Sequence, residues 1–177
     1  MHRLMGIDPS LTAFGIAWGN ADRRGLDLES VKTTTIRAES VTDLAREFSA
    51  IVNDVQPTGV IYEQARRDIA LYGKKGLLPG QPKFVTPNAS QLVLLEVQGL
   101  IIGITLHYGA SIMAAAPNTW RKQILGRGDM DRATAKAAAK AHVKSIGIKA
   151  KSVDAAEAVC ILEYGAYLPT LRFTGEW

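Results

Sequence analysis

Apolar and polar positions divide the first third of the chain into short strands and one helix. "RLMGI" (3–7) is a compact apolar run, and "AFGIAWG" (13–19) returns after a turn at Pro9 and Ser10. "SVKTTTIR" (30–37) is β-branched and alternates, as a half-buried strand does. The polar link "NADRRGLD" (20–27) predicts a hairpin between the last two, and links this short imply antiparallel neighbours. The period then changes. Val41, Leu44, Ala45, Phe48, Ile51, Val52 and Val55 recur at helical spacing, with Ser40 in the N-cap position and Pro57 past the end. "GVIYEQ" (59–64) is a continuously apolar strand of the kind buried on both faces, and it runs into Glu63.

Residues 64–87, "QARRDIALYGKKGLLPGQPKFVTP", break the pattern. Gly and Pro recur, five basic residues appear, and Tyr72 and Phe84 are interleaved. A loop of this length inside a compact domain is usually functional or disordered. Beyond it the sequence predicts a long apolar helix (about 90–107), a strand "ASIMAAAP", a short helix around Trp120, the Gly-rich "LGRGDMD", an alanine-rich helix and a last helix over 153–167. The order describes one α/β domain spanning residues 1–177. Its sheet is five-stranded and mixed, three antiparallel strands followed by parallel ones, with helices on its faces. Trp120 reads as core rather than as a platform for stacked bases.

Composition narrows the class. The chain has 177 residues, nearly half of them apolar, and one cysteine, Cys160. That excludes an internal disulfide and a multi-cysteine zinc site, and is consistent with a reducing cytoplasm. The N-terminus lacks the apolar centre of a signal peptide. "LVLLEVQGLIIGITL" (92–106) carries Glu96 and Gln98 and is short for a membrane span. It reads as a buried or interface helix, in which Gly99 and Gly103 permit close approach of a partner subunit. Glu96 is either a buried, paired acid or an auxiliary group. Net charge is +4, yet the stretch from Asn118 to Lys151 alone holds nine Lys or Arg against two Asp. A basic patch on a nearly neutral body suits a polyanion, although charge alone fits a solvated face equally well.

The chemistry lies in the acids. Asp8 and Glu63 each end an apolar strand, and a crossover through the helix between them brings those ends together. The last helix adds Asp154 and Glu157, three apart on one face among alanines. Four carboxylates on apolar elements repel one another unless a cation sits among them. Oxygen ligands without His or Cys select Mg²⁺ or Mn²⁺. His2, His107 and His142 show no ligand spacing. Arg132, Lys136, Lys140 and Lys144 recur every four residues, a row suited to phosphates.

"GIDPSLTAFGIA", "VIYEQA", "PNTWRKQILGRGDMDRATAKAAA" and "VDAAEAVCILEYG" resemble, in order and spacing, the RuvC family of Holliday junction resolvases. These blocks run from Met5 to Gly165. The resemblance implies an RNase H-like fold, a homodimer, a cytoplasmic setting in a bacterium or phage-infected host, and two-metal cleavage of four-way DNA junctions. Carried over by position, Asp8 bridges two Mg²⁺ ions, for which Mn²⁺ can substitute. Glu63 holds one ion and the Asp154/Glu157 pair the other. Arg132 stands where the family commonly has Lys near the scissile phosphate, and Arg127, Lys136 and Lys140 join it as DNA contacts. Glu157 replaces the usual Asp. Where bacterial members carry a wedging aromatic, this chain has Arg66, with Arg67, Tyr72, Lys74 and Lys75 following as further DNA contacts. The longer, more basic loop is similar to the phage-encoded branch.

Two other activities share some of these features. The first hairpin also resembles the phosphate hairpin of sugar-kinase and actin ATPases, but the chain holds only one such domain and no adenosine segment, so no nucleotide cofactor is expected. Within the nucleases, the acids specify the reaction and leave RNA or an RNA–DNA hybrid open as substrate.

Overall fold

The computed structural model describes residues 1–65, 71–74, 84–87 and 89–168. The elements are β1 (His2–Asp8), β2 (Phe14–Asp22), β3 (Gly25–Leu26), a 3₁₀ turn (Leu28–Ser30), β4 (Lys32–Ile36), α1 (Val41–Val55) and β5 (Gly59–Glu63). They continue with β6 (Leu71–Lys74), β7 (Phe84–Pro87), α2 (Ala89–His107), β8 (Ser111–Ala115), α3 (Pro117–Leu125), α4 (Arg132–Ser145) and α5 (Val153–Tyr167).

β1 pairs antiparallel with β2 and parallel with β5, and β5 pairs parallel with β8. β4 and the two-residue β3 share the outer edge of β2, both antiparallel to it. The expected mixed sheet is therefore present, with one edge position split. The split revises the predicted hairpin link. β2 continues to Asp22, and Ser30 holds the following segment back by accepting from the Asn20 amide at 2.8 Å. Residues 64–87 likewise contain a hairpin, β6 with β7, in which Tyr72 pairs with Thr86 and Lys74 with Phe84.

Alternation along the strands divides the core into two layers. Met5, Ile7, Phe14, Ile16, Val60 and Tyr62 face α1 and α2, meeting Leu44, Phe48, Val52, Val97 and Ile101. Leu4, Ala17 and Ile61 face the other way, toward Trp120, Ala139, Val143 and the body of α5. On the first face Phe14 and Phe48 meet edge to face at 5.3 Å between centroids. α1 begins at its predicted cap, where Ser40 Oγ accepts from the Asp43 amide at 3.1 Å, and closes on Gln56 in a left-handed conformation before Pro57.

α5 is buried on every side from Ala155 to Gly165, between the sheet and α4. Two glycines permit that depth. A Cβ at Gly6 would fall on the Ala158 carbonyl and the Leu162 amide, and one at Gly15 on the Asp154 carbonyl. Backbone meets backbone there, so no side chain can give way.

α2 is apolar all round and only partly covered. It buries Val97, Gln98, Ile101 and Thr105, while Leu92, Leu95 and Leu106 are exposed. By length and composition alone it could cross a bilayer, with mean hydropathy 1.7 and 22% of its apolar window buried. Glu96 lies on the exposed side, so it is not a buried, paired acid.

Candidate active site

The site forms where β1 and β5 end. Ile7 pairs with Tyr62, so the next residues, Asp8 and Glu63, emerge side by side at the same edge of the sheet. α5 starts above them. Ser152 caps it by accepting from the Ala155 amide at 2.9 Å, and its hydroxyl lies 2.6 Å from Thr35 Oγ1 on β4. Thr35 is the register partner of Gly15, and Gly15 in turn pairs with Asp8. One crosswise row of the sheet thus carries an acid, a glycine and the hydroxyl that anchors α5. The first turn of α5 then sets Asp154 and Glu157 beside Asp8. Carboxylate oxygens of these three acids lie within 4.8 Å of one another. Among the described residues no second group of this kind occurs.

Glu63 stands beside this triad, tied to it through a cation. Its Oε2 accepts the Trp120 indole N–H at 2.8 Å and lies 3.4 Å from Arg121 Nη2. The same guanidinium nitrogen is 3.7 Å from Glu157 Oε1. Gln98, buried on α2, donates to the Glu63 carbonyl at 3.3 Å. On the opposite flank Lys136 Nζ lies 2.8 Å from Asp154 Oδ1 and 3.7 Å from Glu157 Oε2.

The electrostatics follow from burial and crowding. Asp8 is held well above the usual carboxylate range, by burial first and then by the charges of Glu157, Glu63 and Asp154, with Lys136 opposing. Burial also raises Glu157, reinforced by Glu63 and countered by Lys136 and Arg121. Glu63 is raised by burial against the pull of Arg121 and the Trp120 hydrogen bond. Burial works against the charge on Lys136, but its hydrogen bond to Asp154 and the surrounding acids raise its pKa overall. Four acids and two cations leave the pocket short of positive charge. An all-oxygen donor set held this close fits a hard divalent cation, so the acidic triad can bind a metal.

The sequence-predicted basic residues separate into groups. Arg127 is exposed and paired with Asp129 at 3.2 Å. Arg132, at the start of α4, is exposed yet near enough to favour the charged form of Glu63. Lys140 is exposed one turn beyond Lys136. Lys136 departs from this row, since its ammonium turns into the acids. Tyr72 and Lys74 fall on β6; Arg66, Arg67 and Lys75 lie outside the described residues. Trp120 is core, as expected, fully buried, but it is also a donor to Glu63. Arg121 was not singled out by the sequence. Its only trace there is its place beside Trp120, and the guanidinium carbon lies 5.2 Å from that ring's centroid. His142 is structural, pairing with the buried Glu163 at 2.6 Å.

A mixed sheet with α1 and α2 on one face, α3 to α5 on the other, and acids gathered at the ends of its central parallel strands defines an RNase H-like architecture. More narrowly, this is a RuvC-like resolvase fold. The Thermus thermophilus RuvC structure superposes with a TM-score of 0.62 at 15% identity, covering 93% of each chain. T. thermophilus RuvC in complex with a Holliday junction substrate gives 0.63 at 16% identity, covering 93% of this chain and 92% of that one. The fowlpox virus Holliday junction resolvase gives 0.51 at 12% identity, covering 90% and 94%. No protein-family model matches the sequence, and neither does any curated protein.

Proposed function

We propose that this chain is a metal-dependent endonuclease that cleaves four-way DNA junctions. The observation carrying the proposal is the convergence of Asp8, Asp154 and Glu157, with Glu63 adjoining, at the strand ends of a fold shared with junction resolvases. In this reading Asp8, Glu63, Asp154 and Glu157 hold two Mg²⁺ ions, which Mn²⁺ can replace. When bound, such ions supply a nucleophilic hydroxide and neutralise the charge building on the phosphodiester. The chain's own residues do the positioning. Trp120 and Arg121 fix the Glu63 carboxylate from two directions. Arg132, Arg127 and Lys140 meet phosphates on the outer face of the pocket. Arg66, Arg67, Tyr72, Lys74 and Lys75 follow β5 directly and engage the branch point. Two of the solved relatives hold Holliday junction DNA, which supports a branched substrate here.

The exposed apolar face of α2 supports a homodimer. Among the described residues nothing lies within 4 Å of a Cβ placed at Gly99 or Gly103, so a second helix can approach closely. Glu96 on that exposed side suits a protein partner better than lipid.

A cleavage panel tests the function: four-way, three-way, flap, duplex and RNA–DNA hybrid substrates, with and without Mg²⁺. The expected result is Mg²⁺-dependent nicking of the four-way junction, lost in Asp8→Asn and Asp154→Asn while junction binding persists. Cleavage of the hybrid alone would make it a ribonuclease, and cutting at the parental rate by either variant would remove these acids from the mechanism.

A further inference from the structure

Lys136 occupies ground that a divalent ion needs. Its ammonium lies 2.8 Å from Asp154 Oδ1 and 3.7 Å from Glu157 Oε2, and these two acids belong to the triad whose oxygens fall within 4.8 Å of one another. Mg²⁺ sits at about 2.1 Å from a carboxylate oxygen. An ion held by this pair would therefore come within a few ångströms of the ammonium. Glu157 is 5% exposed by side chain and Asp154 17%, so water screens little of the repulsion. Both cations cannot keep that position.

One of them can leave. Lys136 is anchored on the exposed helix α4, its side chain is 27% exposed, and it has four rotatable bonds. Arg121 on the other flank lacks that freedom, because it is 14% exposed and lies against Trp120. Arg132 and Lys140, four residues to either side of Lys136 and so on its face of α4, are exposed.

We infer that Lys136 is a resident counter-ion of the metal-free pocket, which a divalent cation displaces outward onto the phosphate-facing row of α4. The inference rests on the metal-binding reading above and extends it. Lys136 is a positioning residue. It offsets the repulsion between Asp154 and Glu157 and orients them until metal binds, and becomes a phosphate contact once metal enters. Occupancy by metal and binding of a polyanion are then coupled through one side chain, and such coupling is reciprocal.

The test is Lys136→Met, which keeps the stem and removes the charge, with Lys149→Met at an exposed lysine as control. Mn²⁺ affinity is measured by calorimetry, and thermal midpoints are measured in chelator and in saturating Mn²⁺. Lys136→Met should bind Mn²⁺ about tenfold tighter than the parent, because the competing charge is gone. It should melt several degrees lower in chelator, and the deficit should vanish in saturating Mn²⁺. Lys149→Met should change neither quantity. Equal Mn²⁺ affinity in parent and variant, or a melting deficit that persists with Mn²⁺, would overturn the inference while leaving the metal site intact. If neither parent nor variant bound Mn²⁺, the metal reading itself would fall, and the displacement with it.

Discussion

At the scale of single residues, the pocket carries an electrostatic cost that protons or a cation relieve. Asp8 holds its proton to a higher pH in the folded chain than in the unfolded one, as Glu63 and Glu157 do. The folded state therefore binds more protons over the interval from the ordinary carboxylate range, about pH 4, up to the raised values. Their contribution to stability is fully present below that interval and is lost as pH rises through it. Metal-free protein should accordingly lose thermal stability on going from acidic to neutral pH, apart from other groups. Asp8→Asn should raise its midpoint at neutral pH by a few degrees and flatten the pH dependence. Melting curves in chelator across that range check both. Trp120 offers a second residue-scale prediction. Trp120→Phe keeps a buried ring but deletes the donor to Glu63, costing about 2 kcal/mol for a hydrogen bond to a charged group. Chemical denaturation measures the loss, and the proposed junction cleavage should slow because Glu63 is no longer held from that side. These contacts were not legible in the sequence. Asp8 and Glu63 stood out because an acid ending an apolar strand needs compensation. Arg121 looked like an ordinary helix charge and Lys136 like a member of the phosphate-facing row, since the acids they meet lie well away from them along the chain.

At the scale of elements, legibility followed periodicity. α1 carries its apolar residues on one stripe with a serine cap ahead of it, and it lies where the pattern placed it. β1 and β5 are continuous apolar runs ending in an acid. α2 also lies where its apolar run placed it, but its orientation was hidden. Apolar on all sides, it offers no stripe from which to tell core from surface, so the side on which Glu96 falls needed the tertiary structure. The split edge of β2 was equally hidden, because β3 has two residues and no period. The seating of α5 depends on glycines that no helical or strand pattern would mark as important. Gly15→Ala places a methyl group on the Asp154 carbonyl, and backbone cannot yield as a flexible side chain would. The variant should lose about 1–3 kcal/mol of stability, typical of overpacking, and should also bind Mn²⁺ more weakly as the first turn of α5 lifts. Denaturation and calorimetry on the same preparation separate the two effects. A fall in stability with unchanged metal affinity would show that this close packing does not set the site.

At the scale of the whole molecule, the pieces that matter for partners face different ways. The acids open at one end of the sheet, the exposed row of α4 flanks them, and the apolar side of α2 lies across the sheet from α5. Replacing Leu92 and Leu95 with Asp puts charge on the open side of α2, where neither leucine supports the core. On the proposed homodimer, the parent should sediment as a dimer and this variant as a monomer at the same concentration. A parent that is monomeric throughout would remove the paired arrangement.

The close seating of α5 also bears on when this protein can act during its own synthesis. Half of the acids reside on the last helix, whose flanks fill the layer beneath α3 and α4. A growing polypeptide that has made every strand still lacks both a cation pocket and half its interior. The acid cluster therefore cannot assemble until translation has passed Val153 and α5 has seated against Gly6 and Gly15.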